Sequence, residues 1–457
     1  MEKIKPRTLS GFMELLPDKQ AQMEKIQEIL RRTFSLYGFA PLDTPLIEAA
    51  EVLLAKGGGE TEKQVYRFTK GDTDLCLRFD LTVPLAKYVA LNFSRLNFPF
   101  RRYQIGKVYR GERSQRGRFR EFYQADIDII GDGKLDIISE AEIPAVIYRT
   151  FRELGLERFK IGINNRKMLS GFFDMQGLSE HADAILRTID KLDKIGAEKC
   201  SAVLIEDGLS EKAAAELMRF ISIEGETVEK LEALTKYEGK NETYDLGLSE
   251  MRAVLSYLPG FGVPEDYFEL DLKIARGLDY YTGTVYETTL LDHPEIGSIC
   301  SGGRYDDLAS HYIDRKLPGV GISIGLTRLF YILEEQDMLS KDILTAPADV
   351  LIIPLSDDYR SKAIETATEF RAAGVRVQLC TEDRKFKAKM NYADKLGVPF
   401  AAFIGEDEVK EGVISLKNMR SGDQFKAKAK AAAAMIKEAL RPATETRVIR
   451  ETKEREI

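Results

Sequence analysis

Cysteine and histidine are both scarce in this chain, with four of the first and three of the second in 457 residues. Cys76, Cys200, Cys300 and Cys380 lie far apart and form no CxxC pair. That spacing argues against a structural zinc and against a disulfide framework, and it fits a reducing compartment such as the cytoplasm. The scattered histidines provide no metal-ligand cluster. Long apolar runs are missing as well: no uninterrupted stretch of about 18 apolar residues occurs, so a membrane span is not expected. The first seven residues, Met1 to Arg7, lack the apolar run of a signal peptide. Net positive charge is also absent. A balance of −7 speaks on its face against a nucleic-acid partner, although such binding depends on local basic patches rather than on the total.

What is present describes an ordinary folded protein. Hydrophobic residues make up 44% and charged residues 31%, and the length implies roughly two to four domains. One local patch is strongly basic. Arg101 to Arg120 holds eight Lys or Arg and one acid, Glu112. A solvated face would account for many charge runs, but interleaving with Tyr103, Tyr109 and Phe119 points instead to phosphate binding.

Periodicity gives the elements. Met23, Ile26, Leu30, Phe34 and Tyr37 recur at helical spacing, predicting a helix over Gln20 to Tyr37, with Pro17-Asp18 as its start signal. Short strands are predicted at Gln64 to Phe68 and Asp74 to Arg78, joined in a hairpin at Gly71-Asp72. Two more, Arg102 to Arg110 and Phe122 to Ile130, flank the polar loop Ser114 to Arg118. Ser139 to Leu154 returns to helical spacing. Residues 171–260 are dominated by helix formers and read as a helical insertion. Strands resume at Phe268 to Ile274, Val285 to Leu290 and Ile299-Cys300, with Gly302 and Gly303 following, and a helix starts near Gly325. After Thr345-Ala346-Pro347 the pattern alternates: strand Val350 to Pro354, helix Tyr359 to Ala373, strand Val375 to Cys380, helix Phe386 to Leu396, strand Phe400 to Ile404. Such alternation indicates βαβ units. The domains expected are 1–345, carrying the 171–260 insertion, then 346–440, then a charged tail at 441–457.

On the predicted strand from Phe122, side chains alternate between faces. Phe122, Gln124, Asp126 and Asp128 therefore share one face, with Arg110 arriving from the neighbouring strand. An arginine, an amide and carboxylates converging on one sheet face are costly to bury without a ligand.

Val108-Tyr109-Arg110-Gly111-Glu112-Arg113 and Gly117-Arg118-Phe119-Arg120-Glu121-Phe122 resemble motif 2 of class II aminoacyl-tRNA synthetases. Gly319 to Arg328 resembles motif 3, and Pro45 is similar to the proline closing motif 1. The resemblance implies an α+β catalytic domain, an antiparallel sheet flanked by helices, that binds ATP. Arg110 would bind the α-phosphate, Glu112 and Phe119 the adenine, and Arg328 the γ-phosphate. It also implies a homodimer, with Mg2+ on the ATP phosphates.

Three further stretches resemble the histidyl-tRNA synthetase family: Leu77 to Thr82, Arg276-Gly277-Leu278-Asp279-Tyr280-Tyr281, and Ser301-Gly302-Gly303-Arg304-Tyr305-Asp306. The resemblance implies that Asp80, Thr82, Gln124 and Asp128 surround the ammonium of L-histidine. It makes Arg276 a catalytic arginine beside Arg110, has Tyr281 hydrogen-bond the imidazole and Tyr280 line its pocket, and leaves room for the ring at Gly302 and Gly303. The implied activity is formation of histidyl-adenylate followed by transfer to tRNA(His). The alternative is a non-catalytic paralogue regulating ATP phosphoribosyltransferase, in which the arginines and the last domain are usually lost.

The last domain is similar to the α/β anticodon-binding domain of such enzymes. Its basic stretch Arg384 to Ala393 reads equally as a solvated helix or as an RNA contact. Thr327 departs from the family, where an acid often precedes the motif 3 arginine. Asp80 and Asp128 depart too, standing where glutamate is often found.

Overall fold

The computed structural model describes residues 3–55, 60–113, 116–189, 192–274, 281–340 and 343–440. The chain divides into two units, one of residues 3–14 and Ile26–Leu339, the other of Leu15–Lys25 and residues 340–440.

In the larger unit the strands run β1 (Ala40–Pro41), β2 (Ile47–Ala49), β3 (Arg67–Lys70) and β4 (Thr73–Leu77). There follow β5 (Phe100–Tyr109), β6 (Glu121–Ile130), β7 (Phe159–Asn165) and β8 (Phe268–Leu270). Last come β9 (Thr284–Leu290), β10 (Cys300–Tyr305) and β11 (Gly319–Gly325). Eight of them form one sheet in the order β1-β5-β6-β11-β10-β9-β7-β8. It is antiparallel throughout its centre, and β1 and β8 lie parallel to their neighbours at the edges. The long β5–β6 ladder pairs residues from Phe100 opposite Ile130 to Tyr109 opposite Glu121.

The Pro17–Leu36 helix follows its apolar stripe, and Met23, Ile26, Leu30 and Phe34 are buried. The Ile138–Leu154 helix ends at Gly155 with φ +95°. That left-handed position lets its N–H return to the last carbonyls, which glycine does without a steric penalty. From Arg166 to Tyr257 the described elements are helical, with a stacked Phe172–Phe220 pair (4.1 Å between centroids) in their core.

Several expectations shift. The predicted strand at Gln64 begins only at Arg67, after a short helix Glu60–Gln64. Its hairpin with β4 forms as expected, turning at Gly71 with φ +60°. The strand predicted over Phe268 to Ile274 stops at Leu270. In the other direction, β10 continues straight through Gly302 and Gly303. A Cβ on Gly302 would lie 2.1 Å from the Gly321 carbonyl oxygen on β11. Here glycine permits two strands to approach rather than marking a turn. Strand β7 was not anticipated.

The second unit holds β12 (Val350–Pro354), β13 (Val377–Leu379), β14 (Phe400–Ile404), β15 (Ile414–Asn418) and β16 (Gln424–Ala427) in the order β13-β12-β14-β15-β16. The first three are parallel, as the alternating pattern predicts, and the last two, unanticipated, are antiparallel. In the Phe386–Leu396 helix Lys389 is buried and donates to the Pro354 carbonyl at 3.0 Å, so part of this basic stretch serves packing. Among the described residues no helix is long and apolar enough to cross a membrane.

Candidate active site

A cavity of about 540 Å³ opens on one face of the large sheet, within the range of small-molecule sites. The face is set by register. Residues directly opposite on antiparallel strands point the same way, so Asp126 of β6 shares its side with Ser323 of β11, and Asp128 with Arg102 of β5 and Gly321 of β11. Cavity walls include Phe122, Gln124, Asp126 and Asp128, the four residues that alternation places together.

One end is cationic. Arg110 leaves β5 with its guanidinium carbon 4.5 Å from the Phe79 ring centroid and 5.2 Å from that of Phe122. Its Nε donates to the Phe79 carbonyl at 3.2 Å. Held against two rings, a guanidinium offers its remaining N–H groups as a fixed fork. Arg118 and Arg328 line the same end. Burial, and then the neighbouring Arg118, lower the Arg328 pKa from its ordinary value. Arg328 also donates to the Ile296 carbonyl. Guanidinium groups crowded this way are relieved by an anion. Glu112 lines this end 3.9 Å from Arg118, and Phe119 packs edge-on against Tyr331 at 5.6 Å.

Thr327 has a structural task here. Where the β6–β11 ladder ends, at Gln124 opposite Gly325, its hydroxyl accepts the Tyr123 N–H at 2.7 Å and ties the Leu326–Glu335 helix to the sheet. Thr327→Val is expected to leave that N–H unpaired and destabilise the fold by about 1–3 kcal/mol, read from the urea midpoint. An unchanged midpoint would refute the tie.

The other end is acidic and buried. Arg102, wholly buried in the sheet, pairs with Asp128 Oδ2 at 2.7 Å and donates to the Leu81 carbonyl at 3.2 Å. Tyr305 donates to the other oxygen of Asp128 at 2.7 Å. Asp80 accepts the N–H groups of Thr82 (3.0 Å) and Val83 (2.9 Å) at the start of the Thr82–Asn92 helix, a favourable place for a carboxylate. Gln124 Nε2 donates to Ser323 at 2.7 Å. Burial pushes the Asp126 carboxyl up to about 7 against the pull of Arg102, and the Asp128 carboxyl up to about 6. Asp80 is raised as well, again by burial.

The site residues read from sequence distribute unevenly. Asp80, Thr82, Arg110, Glu112, Phe119, Gln124, Asp128, Tyr281, Gly302 and Arg328 all line the cavity. Gly303 is not on its wall: a Cβ there would meet the Thr284 carbonyl at 2.7 Å and the Tyr281 ring at 3.0 Å, so the space it leaves is filled by that tyrosine. Arg276 and Tyr280 lie outside the described residues. The chain leaving Tyr281 is fastened at Thr282, whose hydroxyl donates to Asp306 at 2.6 Å and whose N–H donates to the Arg304 carbonyl at 2.7 Å. Arg102, Asp126, Tyr305 and Ser323 were missed as site residues. Arg102 was legible: it stands eight residues before Arg110, on the same strand face. Tyr305 and Ser323 depend on strands whose pairing the sequence does not reveal.

Comparison with known proteins decides the family. Residues 11–329 match the model described as Histidyl-tRNA synthetase, and 349–439 the model described as Anticodon binding domain. A relative from Clostridium tetani named Histidine--tRNA ligase is 52% identical over 436 residues, 95% of this chain and 99% of its own. This chain belongs to the histidyl-tRNA synthetase family. The crystal structure of histidyl-tRNA synthetase from Nostoc sp. PCC 7120 superposes with a TM-score of 0.87 at 39% identity, covering 96% of this chain and 100% of that one. An ATP phosphoribosyltransferase regulatory subunit/histidyl-tRNA synthetase from Bacillus halodurans C shares the fold, with a TM-score of 0.71 at 24% identity over 86% of this chain and 97% of that one. In this histidyl-tRNA synthetase family member, Thr327 supplies by hydrogen bonding a link between the motif 3 helix and β6.

Proposed function

We infer that this chain is a histidine–tRNA ligase, an ATP-dependent enzyme that activates L-histidine and passes it to tRNA(His). The observation carrying the mechanism is the polarity of the cavity, with arginines at one end and buried carboxylates at the other. An amino acid is itself dipolar. Its ammonium suits the acidic end, which turns its carboxylate toward the arginines and the α-phosphate of ATP. The carboxylate attacks that phosphorus in line, and pyrophosphate leaves. The nucleophile is already ionised at neutral pH, so no general base is needed. The work falls to positioning and to stabilising charge on the phosphoryl oxygens. Arg110 takes the α-phosphate, Arg328 the γ-phosphate, and Glu112 and Phe119 the adenine. Arg276, by its motif, is the second catalytic arginine, with Tyr280 and Tyr281 at the ring.

Magnesium carried on ATP phosphates commonly takes only one or two protein carboxylates. Of the acids on the cavity wall, Asp126 and Glu287 are given no role by the family resemblance. The second unit would bind the tRNA anticodon, and the family resemblance extends to a cytoplasmic homodimer. The regulatory paralogue is disfavoured by the presence of Arg110, Arg328 and the anticodon-binding unit.

The test is histidine-dependent exchange of labelled pyrophosphate into ATP, followed by charging of tRNA(His). Both activities are expected. A folded sample that binds histidine without exchange would instead support the paralogue.

A further inference from the structure

Two acceptor atoms in the cavity lack a hydrogen-bond partner although they are buried: Asp126 Oδ1 and Gln124 Oε1. Asp126 is 2% exposed and Gln124 8%, and both residues line the cavity. They stand two apart on β6, on one face, and Ser323 lies beside both. Its oxygen accepts from Gln124 Nε2 at 2.7 Å, and it stands opposite Asp126 in the β6–β11 ladder. With its NH2 group so engaged, Gln124 presents its carbonyl to the cavity.

The other acids are better satisfied. Asp128 has one oxygen on Arg102 and the other on Tyr305. Asp80 is held by two backbone N–H groups. The groups acting on Asp126 are Arg102 from β5, Asp128 on its own strand, Ser323 from β11, Asp80 from the segment before the Thr82–Asn92 helix, and Cys300 from β10. Only Arg102 is a cation, and its nearest carboxylate bond goes to Asp128. Among the described residues none forms an ion pair with Asp126. A buried carboxylate oxygen and a buried amide oxygen, both unpaired, are expensive unless a ligand supplies donors.

We propose that Asp126 is an amino-acid-binding residue, whose Oδ1 together with Gln124 Oε1 receives the α-ammonium of the substrate, the task that the family resemblance gives to Asp128. This rests on the histidine-activating reading above and refines which residue holds which end. An ammonium carries three donors and no acceptor, which suits two unpaired oxygens side by side. Asp128, braced by Arg102 and Tyr305, is left to the side-chain end of the amino acid, where Gly321 and Gly303 share its row and Tyr281 covers Gly303.

Proton linkage follows. The free-site Asp126 carboxyl, raised to about 7 by burial, is partly protonated at neutral pH. An arriving ammonium favours the charged carboxylate, so binding releases a proton. Histidine affinity should therefore rise as pH increases from 6 to 8.

The experiment compares wild type with Asp126→Asn in pyrophosphate exchange, using histidine and, as a competitive inhibitor, imidazolepropionate, which has the ring and carboxylate but no amine. Losing a charged acceptor is expected to raise the histidine KM about 10- to 100-fold. The ATP KM and the imidazolepropionate inhibition constant should stay within about twofold, because neither ligand brings an ammonium to Asp126. The part of the pH dependence contributed by Asp126 should vanish, leaving that of the substrate's own ring. An unchanged histidine KM, or equal losses for histidine and imidazolepropionate, would overturn the proposal. Calorimetry on the wild-type protein in two buffers of different ionisation enthalpy supplies a check that needs no variant: proton release near pH 7 is expected, and its absence counts against Asp126. Failure of wild type to bind histidine at all would instead refute the underlying function.

Discussion

Arg110→Ala should lower histidine-dependent pyrophosphate exchange by about 10²- to 10³-fold, the usual loss on removing one group that stabilises transition-state charge. The expectation follows from how the guanidinium is held. Phe79 and Phe122 flank it, and the Phe79 carbonyl fixes its Nε. Such a fork reaches the phosphate without reorganising, so its contribution should appear mainly in kcat. Arg110→Lys retains the charge but loses the planar guanidinium and its paired N–H groups, and it should recover only part of the rate. Stability should change little, since the side chain borders the cavity. Exchange in Arg110→Ala within about threefold of wild type would mean that the phosphate is stabilised elsewhere.

Arg102→Met is the second large effect, and it bears on stability. Arg102 is the counter-ion of a wholly buried carboxylate. Removing one member of such a pair leaves an uncompensated charge and typically costs about 3–5 kcal/mol. Asp128 would escape part of this by taking up a proton, which its already raised pKa makes easier. The double variant Arg102→Met with Asp128→Asn carries no buried charge at this pair and keeps an acceptor for the Tyr305 hydroxyl. It should regain most of the stability, measured by urea unfolding, while remaining deficient in exchange. A single variant as stable as wild type would refute the counter-ion role.

How far these features were legible depended on whether local periodicity or remote pairing determined them. The β5–β6 ladder was readable because alternation over ten residues leaves one arrangement of faces, and it placed Gln124, Asp126 and Asp128 together with Arg110. The parallel core of the second unit was readable from strands and helices in strict alternation. Strand β10 was not, because Gly302 and Gly303 look like a turn until the carbonyls of Gly321 and Thr284 are seen lying against them from the strands on either side. The division of labour among the acids was also hidden. Asp126 and Asp128 are the same residue type on the same face. Which of them is already paired is decided by Arg102 and Tyr305, each from a different strand.

The β5–β6 ladder has one more consequence. Both poles of the cavity are mounted on it: Arg110 beside Phe122 at one end, Asp128 at the other, with Gln124 and Asp126 between. A strand advances about 3.4 Å per residue and hardly stretches. On the proposed function the ladder is therefore a gauge block, spacing phosphate, amine and ring by residue count. An amino acid one methylene longer is then expected not to seat its ring and its carboxylate at once, whatever its affinity for either pole.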